Sequence, residues 1–149
     1  MAKSKKQSTS SAPPETVFFV DRDLGPRFVE VLRASGLPVE AHDDHFSPET
    51  RDEDWLRVVA SRDWVILTHD AKIRYTSRAR EAILIARARV IVLRGKAPIS
   101  EMAKSFVRTI QRIRRFLDRH EAPFIAKMYR NPEGAEKPGR IEMWIDGST

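Results

Sequence analysis

The chain reads as an α/β protein with a mostly parallel central sheet covered by helices on both faces, and a pair of strands added at the C-terminus. Two observations carry that reading. Short runs that are apolar at consecutive positions alternate with segments of helical periodicity, and strands this apolar are what burial on two faces demands. In addition, the first and third of these runs are each followed closely by an aspartate.

Thr16-Val17-Phe18-Phe19-Val20 is the first such run and stops at Asp21. Asp23 is placed to cap a helix with Pro26 in its first turn. Phe28, Val31 and Leu32 share one face of that helix, and Gly36 closes it. Pro38 to Ala41 reads as a second, shorter strand. The polar stretch His42 to Arg51 follows, and a helix starting near Asp52 shows an apolar side of Trp55, Leu56, Val58 and Val59. Trp64-Val65-Ile66-Leu67-Thr68 is the next strand, with Asp70 just beyond it. Ser77 is placed to cap a helix running to about Ala88, and Val90 to Leu93 is a fourth buried strand stopped by Gly95 and Pro98.

The longest helix is expected over Ile99 to His120. Ile99, Met102, Phe106, Ile110, Ile113 and Leu117 recur every three or four residues as a core-facing stripe. Lys104, Arg108, Arg112, Arg115 and Arg119 form a second stripe of the same period. Phe124 to Tyr129 and Arg140 to Ile145 read as two strands separated by turn-rich sequence at Asn131-Pro132-Glu133-Gly134 and Lys137-Pro138-Gly139. They are expected as a hairpin at the sheet edge or as a pair lying across it.

The 149 residues suffice for one domain with a real core, and 41% hydrophobic with 32% charged residues suits a globular chain. Residues 1–15 are expected to be a flexible basic tail and residues 16–149 a single domain. The absence of cysteine removes disulfides, thiolate zinc sites and cysteine nucleophiles together, and fits a cytoplasmic location. No apolar run approaches the ~20 residues of a bilayer span, and the basic start is followed by polar residues where a secretory signal needs an apolar stretch. The formal charge of +6 is unevenly spread: residues 15–70 carry a net −7 and residues 71–149 a net +10. An acidic half beside a basic half suits a cation site next to a polyanion-binding surface, or two solvated faces of opposite sign.

In a parallel α/β sheet, ligands sit beyond the carboxyl ends of the strands. Asp21 and Asp70 lie there, and the helix opening with Asp52-Glu53-Asp54 starts at the same edge because it runs antiparallel to the strand it feeds. Several ionised carboxylates held close together need a compensating cation. Hard oxygen donors favour Mg2+ or Mn2+, and such an ion suits phosphodiester hydrolysis. Taken singly, Asp23 and Asp52 are equally good helix caps, acids of a first turn suit the macrodipole, and Asp70 can simply open a turn.

Phe18-Phe19-Val20-Asp21-Arg22-Asp23-Leu24-Gly25, His42-Asp43-Asp44-His45-Phe46, Asp52-Glu53-Asp54-Trp55-Leu56 and Val65-Ile66-Leu67-Thr68-His69-Asp70 together resemble the PIN-like domains of bacterial toxin–antitoxin modules. Within them, the D-x-D-L-G start and Thr68-His69-Asp70-Ala71-Lys72-Ile73-Arg74 resemble the VapC-type toxins. The resemblance spans roughly residues 17–94. It implies a three-layer α/β/α fold and a Mg2+- or Mn2+-dependent endoribonuclease acting on structured RNA, neutralised by a cognate antitoxin protein. By position it makes Asp21 and Asp70 metal-binding acids and puts the helix acid within Asp52-Glu53-Asp54. Asp52 shares a face with Trp55, Leu56 and Val59, so it is the metal candidate there. Glu53 follows as a catalytic candidate for its longer reach. Asp23, Asp54 and Asp43 are secondary acidic candidates. A fourth acid that PIN domains often carry at the start of a later helix has no counterpart, since Glu81 falls well inside its helix.

Lys72, Arg74, Tyr75 and Arg78 are the expected RNA contacts, being close to the acids in sequence and offering cations with one stacking ring. The Arg108–Arg119 stripe suits RNA phosphates, an acidic antitoxin segment or plain solvation. Trp55 and Trp64 are expected in the core, while His42 and His45 are expected to shape the rim. A homodimer is a further open expectation; a membrane is not. Two other readings stand beside the nuclease: a catalytically silent RNA- or partner-binding module, and a haloacid-dehalogenase-like phosphatase with Asp21 as nucleophile and Asp23 as general acid. The latter lacks its later acidic pair, because Arg94-Gly95-Lys96 follows the fourth strand.

Overall fold

The structure, a computed structural model, describes residues 16–69 and 76–147. The expected basic tail, and Asp70, Lys72, Arg74 and Tyr75 among the expected site residues, lie outside them.

The first apolar run becomes β1 (Phe18–Val20), buried on both faces. It pairs in parallel with β2 (Val39–Ala41) on one side and β3 (Val65–Thr68) on the other. β4 (Arg89–Arg94) and β5 (Phe124–Tyr129) extend the parallel sheet, and β6 (Arg140–Asp146) closes it antiparallel to β5. The order is β2-β1-β3-β4-β5-β6. The terminal strands are therefore not a pair lying across the sheet: β5 is an interior parallel strand and β6 its edge.

Alternation along these strands feeds two cores. Phe18, Val20, Val65, Leu67, Ile91 and Phe124 face α1 (Gly25–Ala34), α4 (Ile99–Arg108) and α5 (Ile110–Arg119). Phe19, Ile66, Val90, Val92 and Ile125 face α2 (Asp52–Ser61) and α3 (Ser77–Ala86). Helices thus cover both faces of a mostly parallel sheet, the three-layer α/β/α arrangement. Among the described residues, no helix is long and apolar enough to cross a membrane.

Two local expectations are corrected. Asp23 does not cap α1. Asp21 instead caps a 3-10 turn over Arg22–Leu24, its side chain accepting from the Arg22 N–H, and Gly25 at φ 79° leads the chain from that turn into α1. The positive φ is a conformation that glycine adopts without a Cβ clash. The expected helix from Ile99 to His120 is two helices that meet at Thr109. The buried Thr109 hydroxyl donates to the Ser105 carbonyl at 2.6 Å and accepts from the Gly139 N–H at 2.9 Å. Arg112 Nη1 donates to the Gly139 carbonyl at 2.6 Å. Threonine bonding back to the preceding turn bends helices, and here the segment leading into β6 is stitched to that bend.

Candidate functional site

The parallel strand order reverses between β1 and β3, the point where an open α/β sheet leaves a crevice at its carboxyl edge. Asp21 immediately follows β1 and Thr68 ends β3, so the fold delivers both to that crevice. The Asp21 N–H donates to the Leu67 carbonyl at 3.0 Å, continuing the ladder one step past the strand. Its Oδ1 accepts from the Arg22 N–H at 2.7 Å and its Oδ2 from Thr68 Oγ1 at 2.9 Å.

Thr68 is almost fully buried, and its hydroxyl also lies 3.4 Å from Asp23 Oδ2. That oxygen of Asp23 accepts from the His69 N–H at 2.9 Å. One hydroxyl therefore stands between two carboxylates with a single proton to give. The His69 ring reaches the Gly95 carbonyl at 3.2 Å, tying the segment after β3 to the one after β4.

The Asp21 carboxyl is pushed above its ordinary value. Burial is the largest cause, and the neighbouring Asp52 charge adds to it. The Thr68 and Arg22 hydrogen bonds and the nearby His42 oppose the rise. A half-buried carboxylate that is expensive to ionise, beside a second acid, favours any cation that can lie between them.

Asp52 is in the first turn of α2 rather than at its N-cap, which is Arg51. The turn of helix brings Trp55 under it, and the indole Nε1 donates to Asp52 Oδ1 at 3.1 Å. Glu53 accepts from Arg51 at 2.6 Å, a bond that holds its pKa below the ordinary carboxylate range. Asp54 pairs with Arg57 at 3.0 Å, and Asp43 with Arg22 at 3.2 Å. Asp21, Asp52, Glu53 and Thr68 line one end of a cavity of about 230 Å3 between α2 and α3, with Arg78 and Thr76 also on its wall and Leu56 and Ile83 among its apolar lining.

The structure thus brings Asp21, Asp23 and Asp52 to one crevice. Glu53 reaches the same cavity but is engaged by Arg51, and Asp43 and Asp54 are held in exposed ion pairs. Glu81 is exposed on α3. Among the described residues, no three acids or histidines converge closely enough to form a ready metal cage. The donor set that is present, carboxylates with a hydroxyl, is nonetheless of the hard oxygen type that suits Mg2+ or Mn2+.

The Thr68 hydroxyl is a participant to which the sequence assigns no role of its own; a strand-ending threonine two residues before an aspartate is its signal. His42, expected at the rim, is buried against Phe19, Phe46 and Trp55 and lies 3.4 Å from Asp43. It supports the site floor as well as its rim. Trp55 is buried and Trp64 stacks on Phe19, so both belong to the core as expected. The arginine stripe is on the far face of the sheet, where Arg108 meets Glu136 at 3.6 Å and Arg112 holds Gly139.

Comparison with curated proteins finds no match, and comparison with solved structures finds none. The family profile described as PIN like domain matches residues 16–95, more than half of the chain, running from β1 through β4 and taking in the acids of the crevice. With the α/β/α fold and the acids at its switch point, that match places the chain in the PIN-like domain family, whose fold is of nuclease type.

Proposed function

We propose that the protein is a divalent-metal-dependent endoribonuclease, the toxin of a type II toxin–antitoxin module, hydrolysing RNA phosphodiester bonds at the β1/β3 crevice. The observation that carries this reading is the burial of Asp21 beside Asp52, with Thr68 bonded to Asp21. That arrangement makes a costly negative pair which a bound cation relieves.

Asp21 and Asp52 would hold Mg2+ or Mn2+, with Asp70 a further candidate ligand from the sequence. When bound, the ion polarises a phosphate oxygen and lowers the pKa of water. Thr68 favours the ionised form of Asp21 against burial and fixes its rotamer by donating to Oδ2. Trp55 fixes the Asp52 rotamer in the same way through its indole N–H. Asp23, bonded to the His69 N–H, holds the mouth of the crevice in shape. Arg78, in the first turn of α3 on the cavity wall, offers a cation for a substrate phosphate. Lys72, Arg74 and Tyr75 remain proposed RNA contacts by sequence position. A cognate antitoxin is the proposed protein partner.

The test is cleavage of total RNA by the purified chain with Mn2+, with EDTA, and with Asp21→Ala or Asp52→Ala. Cleavage that needs the ion and falls at least about 100-fold in either variant supports the reading. Wild-type protein that cuts no cellular RNA overturns it.

A second reading, a silent RNA- or partner-binding module, has one observation on its side. Asp43, Glu53 and Asp54 around the crevice are already ion-paired with arginines. It predicts that the Asp21→Ala variant binds RNA and produces the cellular phenotype as the wild type does.

A further inference from the structure

β5 and β6 lie beyond the segment that the family profile matches, and they carry a surface of their own. Their register shifts between Ile125 and Ala126, whose partners on β6 are Ile145 and Met143. Trp144 is the extra residue. A bulge re-aims side chains, and here Trp144 and Ile145 both pack against the core of α2 and α3, while Met143 packs against the opposite core. The bulge therefore turns an indole onto the sheet face that also carries the acid-lined cavity.

Cations gather around that indole and along the strand beside it. Lys127 Nζ lies 4.2 Å from the Trp144 ring centroid, and the Arg80 guanidinium carbon 5.9 Å from it. Two residues along β5, the Arg140 guanidinium carbon lies 4.0 Å from the Tyr129 centroid. Tyr129 is in register with Arg94 on β4 and Arg140 on β6, and partners in register stand side by side on one face of a sheet. Glu142, opposite Lys127 and 3.9 Å from Arg140, is the acid this strip carries on β6 beside them. Neither Tyr129 nor Trp144 is buried, and the Arg140 side chain is 60% exposed. The strip starts at the carboxyl edge of the sheet, the edge that also holds the crevice: Arg94 ends β4 and precedes Gly95, the carbonyl partner of His69, while Arg80 lies half a turn of α3 past the cavity-lining Arg78 and so on the other side of that helix.

The geometry points to a platform for single-stranded RNA, on which Tyr129 and Trp144 stack bases and Arg94, Lys127, Arg140 and Arg80 meet phosphates. Interleaved rings and cations are how sequence-tolerant single-strand binding is built. This rests on the ribonuclease reading, for which the platform holds the strand that runs away from the scissile bond. An acidic protein segment would meet the same cations but would leave the rings unused.

The test is anisotropy of a labelled oligouridine of about 12 nucleotides with the full chain carrying Asp21→Asn, in EDTA, so that nothing is cut. Tyr129→Leu and Arg140→Gln are each expected to weaken binding at least about five-fold, while Tyr129→Phe binds like the parent. Lys127→Gln with Arg140→Gln should flatten the salt dependence by roughly 1.4 in log–log slope, about 0.7 per phosphate contact on a single strand. Arg115→Gln with Arg119→Gln, on the far face, serves as the unchanged control. If Tyr129→Leu melts early, the exposed Arg140→Gln carries the test. Unaltered affinity in Arg140→Gln overturns the platform, as does displacement of the RNA by polyglutamate at equal charge concentration. The two readings fail separately. Normal binding changes with no cleavage by the wild type sinks only the nuclease, whereas Asp21-dependent cleavage with unaltered binding sinks only the platform.

Discussion

Thr68 donates its hydroxyl proton to Asp21 Oδ2 at 2.9 Å across 47 positions of sequence, linking the ends of the two strands that flank the switch point. The bond favours the ionised carboxyl against the burial that disfavours it. Thr68→Val keeps the shape and removes the donor. Asp21 should then be still harder to ionise, so cleavage with Mn2+ should fall about 10–100-fold near neutral pH and its pH optimum should move upward. Thr68→Ser should retain most of the wild-type rate. A pH–rate profile of both variants checks this; an unmoved optimum in Thr68→Val removes Thr68 from the site's electrostatics.

Because burial in the folded state raises the Asp21 pKa above its ordinary carboxylate value, the folded chain binds that proton more tightly than the unfolded chain. Stability from this group is greatest below the unfolded value and declines as pH rises through the folded value. Above that window the ionised carboxyl is a standing cost. Asp21→Asn abolishes it, and the amide can still accept from Arg22 and donate to the Thr68 oxygen. The variant should therefore melt a few degrees higher at pH 7, roughly what 1 kcal/mol yields in a domain this size, while losing nuclease activity. Mn2+ should raise the wild-type melting temperature and leave the Asn variant nearly unchanged. Melting curves at pH 4 and 7, with and without Mn2+, measure both effects.

The choice of helix acid was open from sequence and is sharpened by the hydrogen bonds. Asp52 rests on Trp55 and adds to the raised pKa of Asp21, whereas Glu53 is drawn to Arg51. Asp52→Asn, which can still accept from the indole, should cost about 100-fold in metal-dependent rate. Glu53→Gln should stay within about three-fold, since exposed pairs of this kind contribute little. The reverse ranking in single-turnover cleavage would make Glu53 the functional acid.

These contrasts show what local sequence carries and what it does not. β1, β3 and β4 were legible because each is apolar at consecutive positions, and two-sided burial leaves little choice of partner. Asp52 was legible because its spacing to Trp55 puts both on one helical face. The cap falls to Asp21 rather than Asp23 although the two are equivalent in pattern; the His69 N–H, just past the end of β3, separates their roles. The break at Thr109 depends on Gly139, thirty residues later, and the periodicity of Ile99 to Leu117 runs through it undisturbed. The bulge at Trp144 is likewise a matter of register, which no composition reveals.

Gly139 gives the last expectation. A Cβ built there would lie 2.0 Å from the Tyr129 carbonyl oxygen and 3.0 Å from Arg130 Cα, both backbone atoms that cannot swing aside. The same glycine is held through its N–H by Thr109 and through its carbonyl by Arg112. Gly139→Ala must therefore separate the start of β6 from the end of β5, or pull the segment off the helix bend. A loss of about 2–4 kcal/mol is expected, in the range of overpacking with broken buried hydrogen bonds. Thr109→Val should cost less, about 1–2 kcal/mol, because its shape survives. Since β6 carries Arg140 and Trp144, Gly139→Ala should also weaken oligouridine binding, whereas the metal-induced rise in melting temperature, centred on Asp21 at the other end of the sheet, should persist. Denaturant unfolding and anisotropy on the one variant test both halves; loss of the Mn2+ response together with RNA binding would show that the added strands and the acid site are not independent.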